Sequence, residues 1–492
     1  MKKVLLVNTN IEKSPYPVPP VGLCLLASAL ENLFVVKVYD GVIDEGRSLT
    51  GLVEDFAPDY IGFSIRNIDD VVAERTIFYI DRIISDFIEP VKKITSVPVI
   101  LGGSGFSMFP AELIKMTGAD YGIVGEGENI FPELLMWLDQ GKEITGLPNI
   151  ISKKNLQSEN TTNAGFLRNF SHRFSEIDRH IDFSPYLQKG VYSVQTKRGC
   201  SHGCVYCTYP LIEGKKFRRR NSEDIVDEIE QAYNRLGNIT FEFVDSTFND
   251  PKGHAEAICR EIINRKLKVR IRTMGINPRN TSEELFELMI KAGFVQIDAT
   301  PDTASPGLLK LLDKGFDLPE IEKMARLIKK FDLPTMWFFL FSGPGETRDT
   351  FRETLDFIDK YVSPDDLVYM NAGLRVYPGT PLYSIALKEG SIQPGQSILQ
   401  PPFFYYSEKC GREEINNLIT EAAKKRSNCL PSSETTPSPE MIKKAIELRN
   451  EKGLNEPMFR TLLRIRRKWR MNNPAASGGE LIPERGDSCL PS

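Results

Sequence analysis

The sequence predicts an α/β protein made of two successive α/β domains and a small, mostly helical C-terminal region. Residues 1 to about 145 alternate between strand-like and helix-like segments, and the alternation resumes at Tyr192. A polar, irregular stretch separates the two series, and the last hundred residues have mainly helical or loop-like patterns. The predicted segments are a first α/β domain over 1–145, a linker over 146–190, a second α/β domain over 191–385, a helical region over 386–470 and a disordered tail over 471–492.

The first domain is predicted to be Rossmann-like, with an open, parallel, doubly wound sheet. Its strand-like runs are "KKVLLVNTN", "FVVKVYDG", "DYIGFSI" and "VPVILGG", and "PPVGLCLLASALENL" has helical spacing. In such sheets, ligands bind beyond the carboxyl ends of the strands. The loops expected there are "SIRNIDD", "GGSGFSMFP" and "GIVGEGE".

The second domain has six strand candidates with helical segments between them: "YSVQTKR", "ITFEFVDS", "KVRIRTMG", "FVQIDATP", "TMWFFLFSG" and "LVYMNAGLRVYP". Six β/α units occupy about 195 residues, whereas a closed eight-unit barrel needs roughly 250. The length therefore predicts a partial (β/α)6 barrel of the TIM type.

The composition is that of an ordinary globular protein, with 41% apolar and 26% charged residues. A net charge of −4 gives no overall attraction to nucleic acid or to a membrane surface. No apolar run is long enough for a transmembrane segment, and no secretory signal precedes the first strand, so a cytoplasmic location is expected. Eight cysteines with three of them clustered do not resemble a disulfide framework.

The clustered cysteines are Cys200, Cys204 and Cys207, in the run "KRGCSHGCVYCTYP". A zinc site completed by His202 lacks the usual second pair of ligands. A redox pair of the last two cysteines leaves the first without a role. A [4Fe–4S] cluster on three thiolates leaves one iron open to bind a small molecule. The position after the first barrel strand, at the face where such barrels carry their sites, favours the cluster.

The spacing C-x3-C-x2-C, with Tyr206 before the last cysteine, resembles the signature of the radical S-adenosylmethionine (SAM) superfamily. "SGPGET" resembles the turn after the family's fifth strand, "YPGTPLY" the end of the sixth, and "PDTASPGLLKLLDKG" the segment of the fourth. The second strand departs from the family pattern, because "FVDSTF" stands where a Gly-Gly-Glu turn is usual.

The resemblance implies that the open iron of the cluster chelates SAM, which an electron from an external flavodoxin- or ferredoxin-type reductant then splits. Cys200, Cys204 and Cys207 would be the catalytic cluster ligands. The amino group of SAM would be held by backbone or by Asp245, since the Gly-Gly-Glu turn is missing. The residues implied as SAM contacts are Tyr206, Asp245, Asp302, Thr303, Gly343 and Glu346.

The first domain resembles the cobalamin-binding domain of class B radical SAM enzymes, through "PPVGLCLLASAL" and "VPVILGGSGFSMFPAELIKMTGADYGIVGEGE". The implied cobalamin contacts are Ser64, Arg66, Asn67, Gly102, Gly103, Ser104, Gly125 and Glu126. Many such domains supply a histidine to cobalt, but the four histidines of this chain all lie after residue 145. Arg66 is therefore expected near the lower face of cobalt, because a guanidinium stays protonated and cannot ligate. Alternatively, Arg66 pairs with Asp69 or Asp70 in an ordinary loop.

The function implied is methyl transfer from methylcobalamin to an unactivated carbon, with SAM cleaved at the cluster. The alternatives are a non-methylating radical SAM enzyme of lipid or specialised-metabolite biosynthesis, and a cobalamin or iron–sulfur sensor. The substrate is expected to be a small or lipid-like molecule, and no nucleic acid partner is expected. Two basic segments stay open: "KKFRRR" as a solvated loop or an anion site, and "MFRTLLRIRRKW" as a helix packed on the barrel or on a membrane.

Overall fold

The structure is a computed structural model that describes residues 1–13, 16–44, 46, 48–144, 147–156, 166–167, 177–187, 190–434 and 437–472. The chain forms two compact units. The first unit comprises Met1–Val71, Thr76–Arg270 and Arg375–Phe403, and the second comprises Val72–Arg75, Ile271–Leu374 and Phe404–Ser492. The first unit thus joins the predicted first domain to the start and the end of the predicted second domain.

The N-terminal part of the first unit contains a six-stranded sheet of order β2-β1-β3-β4-β5-β6. Its strands are β1 (Lys3–Asn8), β2 (Val35–Asp40), β3 (Tyr60–Ser64), β4 (Val99–Gly102), β5 (Tyr121–Ile123) and β6 (Ile150–Ser152). The first five pair in parallel, and β6 pairs antiparallel with β5. The predicted doubly wound sheet is confirmed, and it extends into the segment predicted as a linker.

Helices cover this sheet, and each packs an apolar face against the apolar side chains of the strands. They are α1 (Val21–Leu30), α2 (Leu49–Phe56), α3 (Ile80–Ile83), α4 (Glu89–Ile94), α5 (Ser104–Met108), α6 (Pro110–Thr117) and α7 (Ile130–Asp139), with a π-helical turn at Ile84–Ile88. Leu23 and Ala27 of α1 and Phe131 and Leu134 of α7 share one core with Leu6 of β1. Val4, Leu5, Leu6 and Val7 are all buried, so the continuous apolar run of β1 buries both faces of the strand, as a central parallel strand requires.

The rest of the first unit begins the second β/α series. Its elements are α8 (Ser184–Leu187), β7 (Tyr192–Val194), β8 (Lys197–Arg198), α9 (Tyr209–Ile212), β9 (Arg218–Arg219), α10 (Ser222–Leu236), β10 (Thr240–Phe243), α11 (His254–Asn264) and, after a segment that belongs to the second unit, α16 (Pro381–Lys388). Strands β7 and β10 pair in parallel, and β8 and β9 form an antiparallel pair. The cysteine loop lies between β8 and α9.

The second unit continues the alternation. Its elements are β11 (Arg270–Ile276), α12 (Glu283–Ala292), β12 (Phe294–Asp302), α13 (Pro306–Leu311), α14 (Leu318–Phe331), β13 (Thr335–Phe341), α15 (Arg348–Tyr361), β14 (Leu367–Ala372), β15 (Leu374–Arg375), β16 (Phe404–Tyr405), α17 (Arg412–Lys425), β17 (Cys429–Pro431), α18 (Pro439–Lys452) and α19 (Met458–Asn472). Strands β11 to β14 pair in parallel in chain order, and β17 adds to β14. All six predicted strands are present.

The basic helix α19 packs inside the second unit. Phe459 and Leu463 are buried against Leu367, and half-buried Met336 and Tyr369 pack against the same cluster. The guanidinium groups of the helix are paired at short distances, for example Arg460 with Asp366 at 3.1 Å and Arg464 with Glu456 at 2.9 Å. Packing against the second unit, and not a membrane surface, explains the pattern of this helix. None of the described helices is long and apolar enough to cross a membrane.

Parts of the predicted linker lie outside the described residues, as does the predicted tail from residue 473 onward.

Replacing Leu463 with Ala is expected to lower the local free energy of unfolding by about 2–3 kcal/mol, because the lost side chain leaves a cavity in a small cluster. Native-state hydrogen exchange at the amides of α19 measures this. Lys468→Ala on the exposed side of the same helix is the matched control, with an expected change within about 0.5 kcal/mol. Equal effects of the two variants would contradict the packing described for α19.

Candidate functional site

A cavity of ≈ 320 Å³ opens at the carboxyl ends of the N-terminal strands. It lies where the sheet order reverses, between β1 and β3, which is where open α/β sheets bind ligands. One wall is formed by loops after β3, β4 and β5 and by the start of α1. The opposite wall carries side chains that flank β7, β8 and β10, such as Gln195, Arg198 and Val244.

The structure places seven of the eight sequence-predicted cobalamin residues around this cavity: Ser64, Arg66, Gly102, Gly103, Ser104, Gly125 and Glu126. Asn67, the eighth, is not among the lining residues. The sequence interpretation missed Asn8, the last residue of the switch-point strand β1, although its place at a strand end pointed to the cavity. It also missed Ser193, Gln195, Arg198 and Glu213, since nothing in a sequence links these positions to loops a hundred residues earlier.

Backbone hydrogen bonds to the end of β4 and to the turn that follows it hold the loop after β3 in place. The Ile65 N–H donates to the Gly102 carbonyl at 2.8 Å, and the Phe106 N–H donates to the Ile65 carbonyl at 3.1 Å. Gly103 has a φ of +102°, and a Cβ there would lie 2.5 Å from the Ile65 carbonyl oxygen. Only glycine allows this approach. The glycines predicted to approach a ligand therefore also hold the Arg66 loop in place.

Arg66 lies in this loop with its side chain exposed to the cavity. Its surface is accessible, but the cavity walls displace much of the surrounding water, and this desolvation lowers the pKa of the guanidinium. The expected alternative, a pair with Asp69 or Asp70, is not what the structure has. Asp69 pairs with Arg375 at 2.9 Å, and Asp70 accepts from the Ile77 N–H at 3.0 Å.

The cysteine loop is held from both sides. The Cys200 N–H donates to the Gly214 carbonyl and the Cys207 N–H to the Cys204 carbonyl, both at 3.0 Å. Gly199, with a φ of +84°, precedes the loop, and a Cβ there would meet the Lys216 carbonyl oxygen at 2.2 Å. Cys200 is buried, whereas Cys204 and Cys207 are half-buried. The backbone before the first cysteine can therefore follow this path only with glycine.

Within the described residues, no three Cys, His, Asp or Glu side chains lie together as the ligands of a single metal ion would. Sulfur ligands of one zinc ion lie about 2.3 Å from the metal, and so within about 4 Å of one another. A [4Fe–4S] cluster binds each thiolate through a different iron, so it does not require such close sulfur atoms. His202, the fourth ligand of the zinc alternative, pairs instead with buried Asp250 at 2.9 Å.

Buried ion pairs connect the cysteine loop to the cavity. Arg198, two residues before Cys200, pairs with Glu128 at 2.6 Å and with Glu126 at 3.3 Å. Arg218 donates to both oxygens of Glu126, at 2.6 and 2.9 Å. Burial alone would lower the pKa of Arg198, but the two carboxylates outweigh it and raise that pKa. Glu126 thus binds protein cations, and its side chain is not free for a cofactor as the sequence interpretation expected.

Glu213 is the third acidic residue near the cysteine loop. It lines the cavity, and its Oε2 accepts from the Gly199 N–H at 3.0 Å. Its Oε1 accepts from the side-chain amide of Gln195 at 3.2 Å. Burial raises the pKa of the Glu213 carboxyl, and the Gly199 hydrogen bond partly opposes the shift. One side chain therefore touches both the cavity and the residue before the first cysteine.

Asp245 corrects a sequence-based expectation. It was expected to hold the amino group of SAM, but its side chain is 0% exposed and pairs with Lys197 at 3.1 Å. It also accepts from the Thr196 N–H at 2.8 Å and from the Thr196 hydroxyl at 2.5 Å. The carboxylate is saturated by its own neighbours, so it fixes the strand that leads to the cysteine loop. Ser246, the next residue, donates to the Gly199 carbonyl at 3.3 Å.

Four further predicted SAM contacts, Asp302, Thr303, Gly343 and Glu346, lie in the second unit. Asp302 is buried and pairs with Lys314. The Thr303 hydroxyl lies 3.1 Å from that of Thr354, and the Thr350 hydroxyl donates to Glu346 Oε1 at 2.6 Å. Burial raises the pKa of Glu346 to about 7. These contacts hold the turns after β12 and β13, and Glu346 Oε2 is buried without a hydrogen-bond partner among the described residues.

Tyr206, the last predicted SAM contact, is half-buried within the cysteine loop. Its neighbour Val205 accepts a backbone hydrogen bond from the Leu382 N–H at 2.9 Å. Leu382 belongs to "YPGTPLY", so the structure joins this motif to the cysteine loop inside the first unit.

The basic run "KKFRRR" is neither wholly solvated nor an open anion site. Arg218 is paired with Glu126, and Arg220 forms a buried pair with Glu228 at 2.6 Å. Lys215, Lys216 and Arg219 are exposed.

Comparison with known proteins agrees with both motifs. The model of the radical SAM superfamily matches residues 194–358, and the model of the B12 binding domain matches residues 7–135. An uncharacterized methyltransferase of Pyrococcus horikoshii is 26% identical over an alignment of 401 positions, which covers 78% of this chain and 83% of that protein. The tryptophan 2-C-methyltransferase of Streptomyces laurentii is 27% identical over an alignment of 442 positions, which covers 76% of this chain and 73% of that protein.

Among solved structures, the radical SAM methyltransferase TsrM from Kitasatospora setae, with cobalamin and a [4Fe–4S] cluster bound, has the same fold. The TM-score is 0.79 with 23% sequence identity, and the match covers 96% of this chain and all of that one (100%).

Replacing Gly199 with Ala is expected to displace the cysteine loop and to reduce bound iron after anaerobic reconstitution several-fold, to about a tenth, because the Cβ collides with backbone. Gly237→Ala is the matched control, since Gly237 has a φ of +83° and open space at its Cβ position. That variant carries the same backbone strain without the collision and is expected to keep its iron. Full iron in the Gly199→Ala protein would contradict the fixed path described here.

Proposed function

The chain belongs to the radical SAM superfamily, in the group with a B12 binding domain ahead of the radical SAM domain, and we propose that it is a cobalamin-dependent methyltransferase. The observation that carries the proposal is the direct bonding of Arg198, beside the cysteine triplet, to Glu126 and Glu128 on the cavity loop. A cofactor in the cavity and a cluster on the cysteines would then act in one compact unit. The relatives named as methyltransferases support the same reaction.

The residues fit the three cofactors to different degrees. Cys200, Cys204 and Cys207 would hold the [4Fe–4S] cluster, and the cavity edged by Gly102, Gly103 and Gly125 would hold cobalamin. For SAM, the residues of the first unit that fit are those of the cysteine loop near Tyr206. When bound, these groups supply one-electron chemistry and a transferable methyl group.

The protein's own contribution is to position and to shield. The buried pairs of Arg198 and Arg218 fix the strand before Cys200, and Asp245 fixes the same strand from the other side through Thr196 and Lys197. Arg66 faces the cavity as a permanent cation that has no lone pair to offer a metal. We place it under cobalt, where it would keep the lower face without a ligand, since the domain contains no histidine.

The substrate is proposed to be a small or lipid-like molecule, in keeping with the relative named for methylation of tryptophan. The electron donor is proposed to be an external flavodoxin or ferredoxin, and the location cytoplasmic. The two alternatives without methyl transfer, a ring-forming or rearranging enzyme and a sensor that only binds, are outcomes of the test below.

The test is anaerobic reconstitution with iron, sulfide and cobalamin, followed by reduction and incubation with SAM and tryptophan as the probe substrate. S-adenosylhomocysteine formation supports methyl transfer, whereas 5′-deoxyadenosine without S-adenosylhomocysteine would indicate a non-methylating enzyme. Failure to consume SAM although the cofactors are bound would indicate a sensor or another substrate. Cys204→Ala is expected to lose the cluster, and Cys259→Ala, a buried helical cysteine, is expected to keep it.

Arg66→Lys tests the assignment beneath cobalt. A lysine is shorter and more strongly hydrated, so it is expected to admit water to the lower face and to raise the proportion of five-coordinate Co(II) by about tenfold. Electron paramagnetic resonance of the bound Co(II) form measures this. Arg82→Lys, on the exposed surface of α3, is the control and is expected to leave the spectrum unchanged. An unchanged spectrum and unchanged turnover in Arg66→Lys would refute the assignment.

A further inference from the structure

The loop that carries Arg66 is tied to a distant part of the first unit by a buried ion pair. Asp69 Oδ2 lies 2.9 Å from Nε of Arg375, 306 residues later in the chain. The side chains of the two residues are 0% and 1% exposed, respectively. Burying an isolated pair of charges costs desolvation free energy, and this cost is offset only when further hydrogen bonds satisfy both groups. The position must therefore be well determined on both sides.

Arg375 makes several further contacts besides the ion pair. Its Nη1 donates to the carbonyls of Val376 and Ile398 at 2.9 and 2.7 Å. Its guanidinium carbon lies 5.7 Å from the ring centroid of Phe109 and 5.1 Å from that of Tyr377. The guanidinium is thus clamped between a ring that follows α5 and a ring of the "YPGTPLY" motif. Few orientations of Arg375 satisfy all of these contacts.

On the Asp69 side, hydrogen bonds hold the loop backbone between the ion pair and Arg66. Asp69 Oδ1 accepts from the Val71 N–H at 3.0 Å, and the Tyr79 N–H donates to the Ile68 carbonyl at 2.9 Å. Three residues earlier, the Ser104 hydroxyl donates to the Arg66 carbonyl at 3.0 Å. Arg66 is therefore held between one anchor on the turn after β4 and another on Arg375.

We propose that Asp69 and Arg375 are positioning residues. By holding the backbone of the loop, they would determine how close the Arg66 guanidinium lies to the lower face of cobalt. The inference rests on the proposed function, because it needs cobalamin in the cavity. Arg375 lies next to "YPGTPLY", whose Leu382 bonds to the cysteine loop, so the same segment that braces the cluster loop also braces the cavity floor. In this role Arg375 acts through Arg66.

The test compares Asp69→Asn with wild type in the reconstituted full-length protein. The variant is expected to bind cobalamin but to shift the ratio of five- to four-coordinate Co(II) by about 2- to 30-fold, the range of coupling through packed networks. Electron paramagnetic resonance of bound Co(II) is the readout, together with cobalamin affinity. Ser104→Ala removes the second anchor without touching a buried charge, and it is expected to shift the spectrum in the same direction.

The matched control is Glu228→Gln, which breaks the buried pair with Arg220 in the same unit. It is expected to destabilise the protein without changing the cobalt spectrum. If Asp69→Asn and Ser104→Ala leave the spectrum unchanged while Arg66→Lys alters it, the positioning inference is wrong and the place of Arg66 stands. If wild-type protein binds no cobalamin, the proposed function is wrong. If Arg66→Lys leaves the spectrum unchanged, the assignment of Arg66 is wrong. Should Asp69→Asn not fold, the spectrum of Arg375→Lys, which keeps the buried positive charge, decides.

Discussion

The buried pairing of Arg198 with Glu126 and Glu128 is the constraint on which the rest of the site depends. It joins the loop after β5, which edges the cavity, to the strand that enters the cysteine loop. Removing one partner of such a pair leaves a buried charge and typically costs about 3–5 kcal/mol. The cavity and the cysteine triplet are therefore parts of one folded unit, although 72 positions separate residue 128 from residue 200.

Around this constraint, the chain uses saturated polar side chains to hold backbone in place. Asp245, with four donors from Thr196 and Lys197, fixes the approach to the cysteines. Asp69 and Arg375 fix the cavity floor in the same way. The cavity itself is lined by the exposed Arg66 and by the glycines Gly102, Gly103 and Gly125, which suits a protein whose cofactors carry the chemistry.

The sequence predicted the parallel, doubly wound sheet, the six later strands, the cysteine triplet and most of the residues that line the cavity. Each of these features can be recognised from the spacing of nearby residues or from the position of a strand end. The sequence could not give the partners of side chains that pair over a long distance in the chain. Lys197, the partner of Asp245, lies 48 residues away, and nothing in the sequence pairs the two. Asp69 was offered as a partner for Arg66, but its partner Arg375 lies 306 residues away. The periodicity of a sequence cannot show which charged residues pair when they lie far apart in the chain.

The most direct test of the account is anomalous diffraction at the iron and cobalt edges from crystals of the anaerobically reconstituted protein. The account predicts iron at Cys200, Cys204 and Cys207 and cobalt in the cavity beside Arg66, with the Arg198 pairs intact between the two metal sites. Zinc at the cysteines, or cobalt outside the cavity, would contradict it.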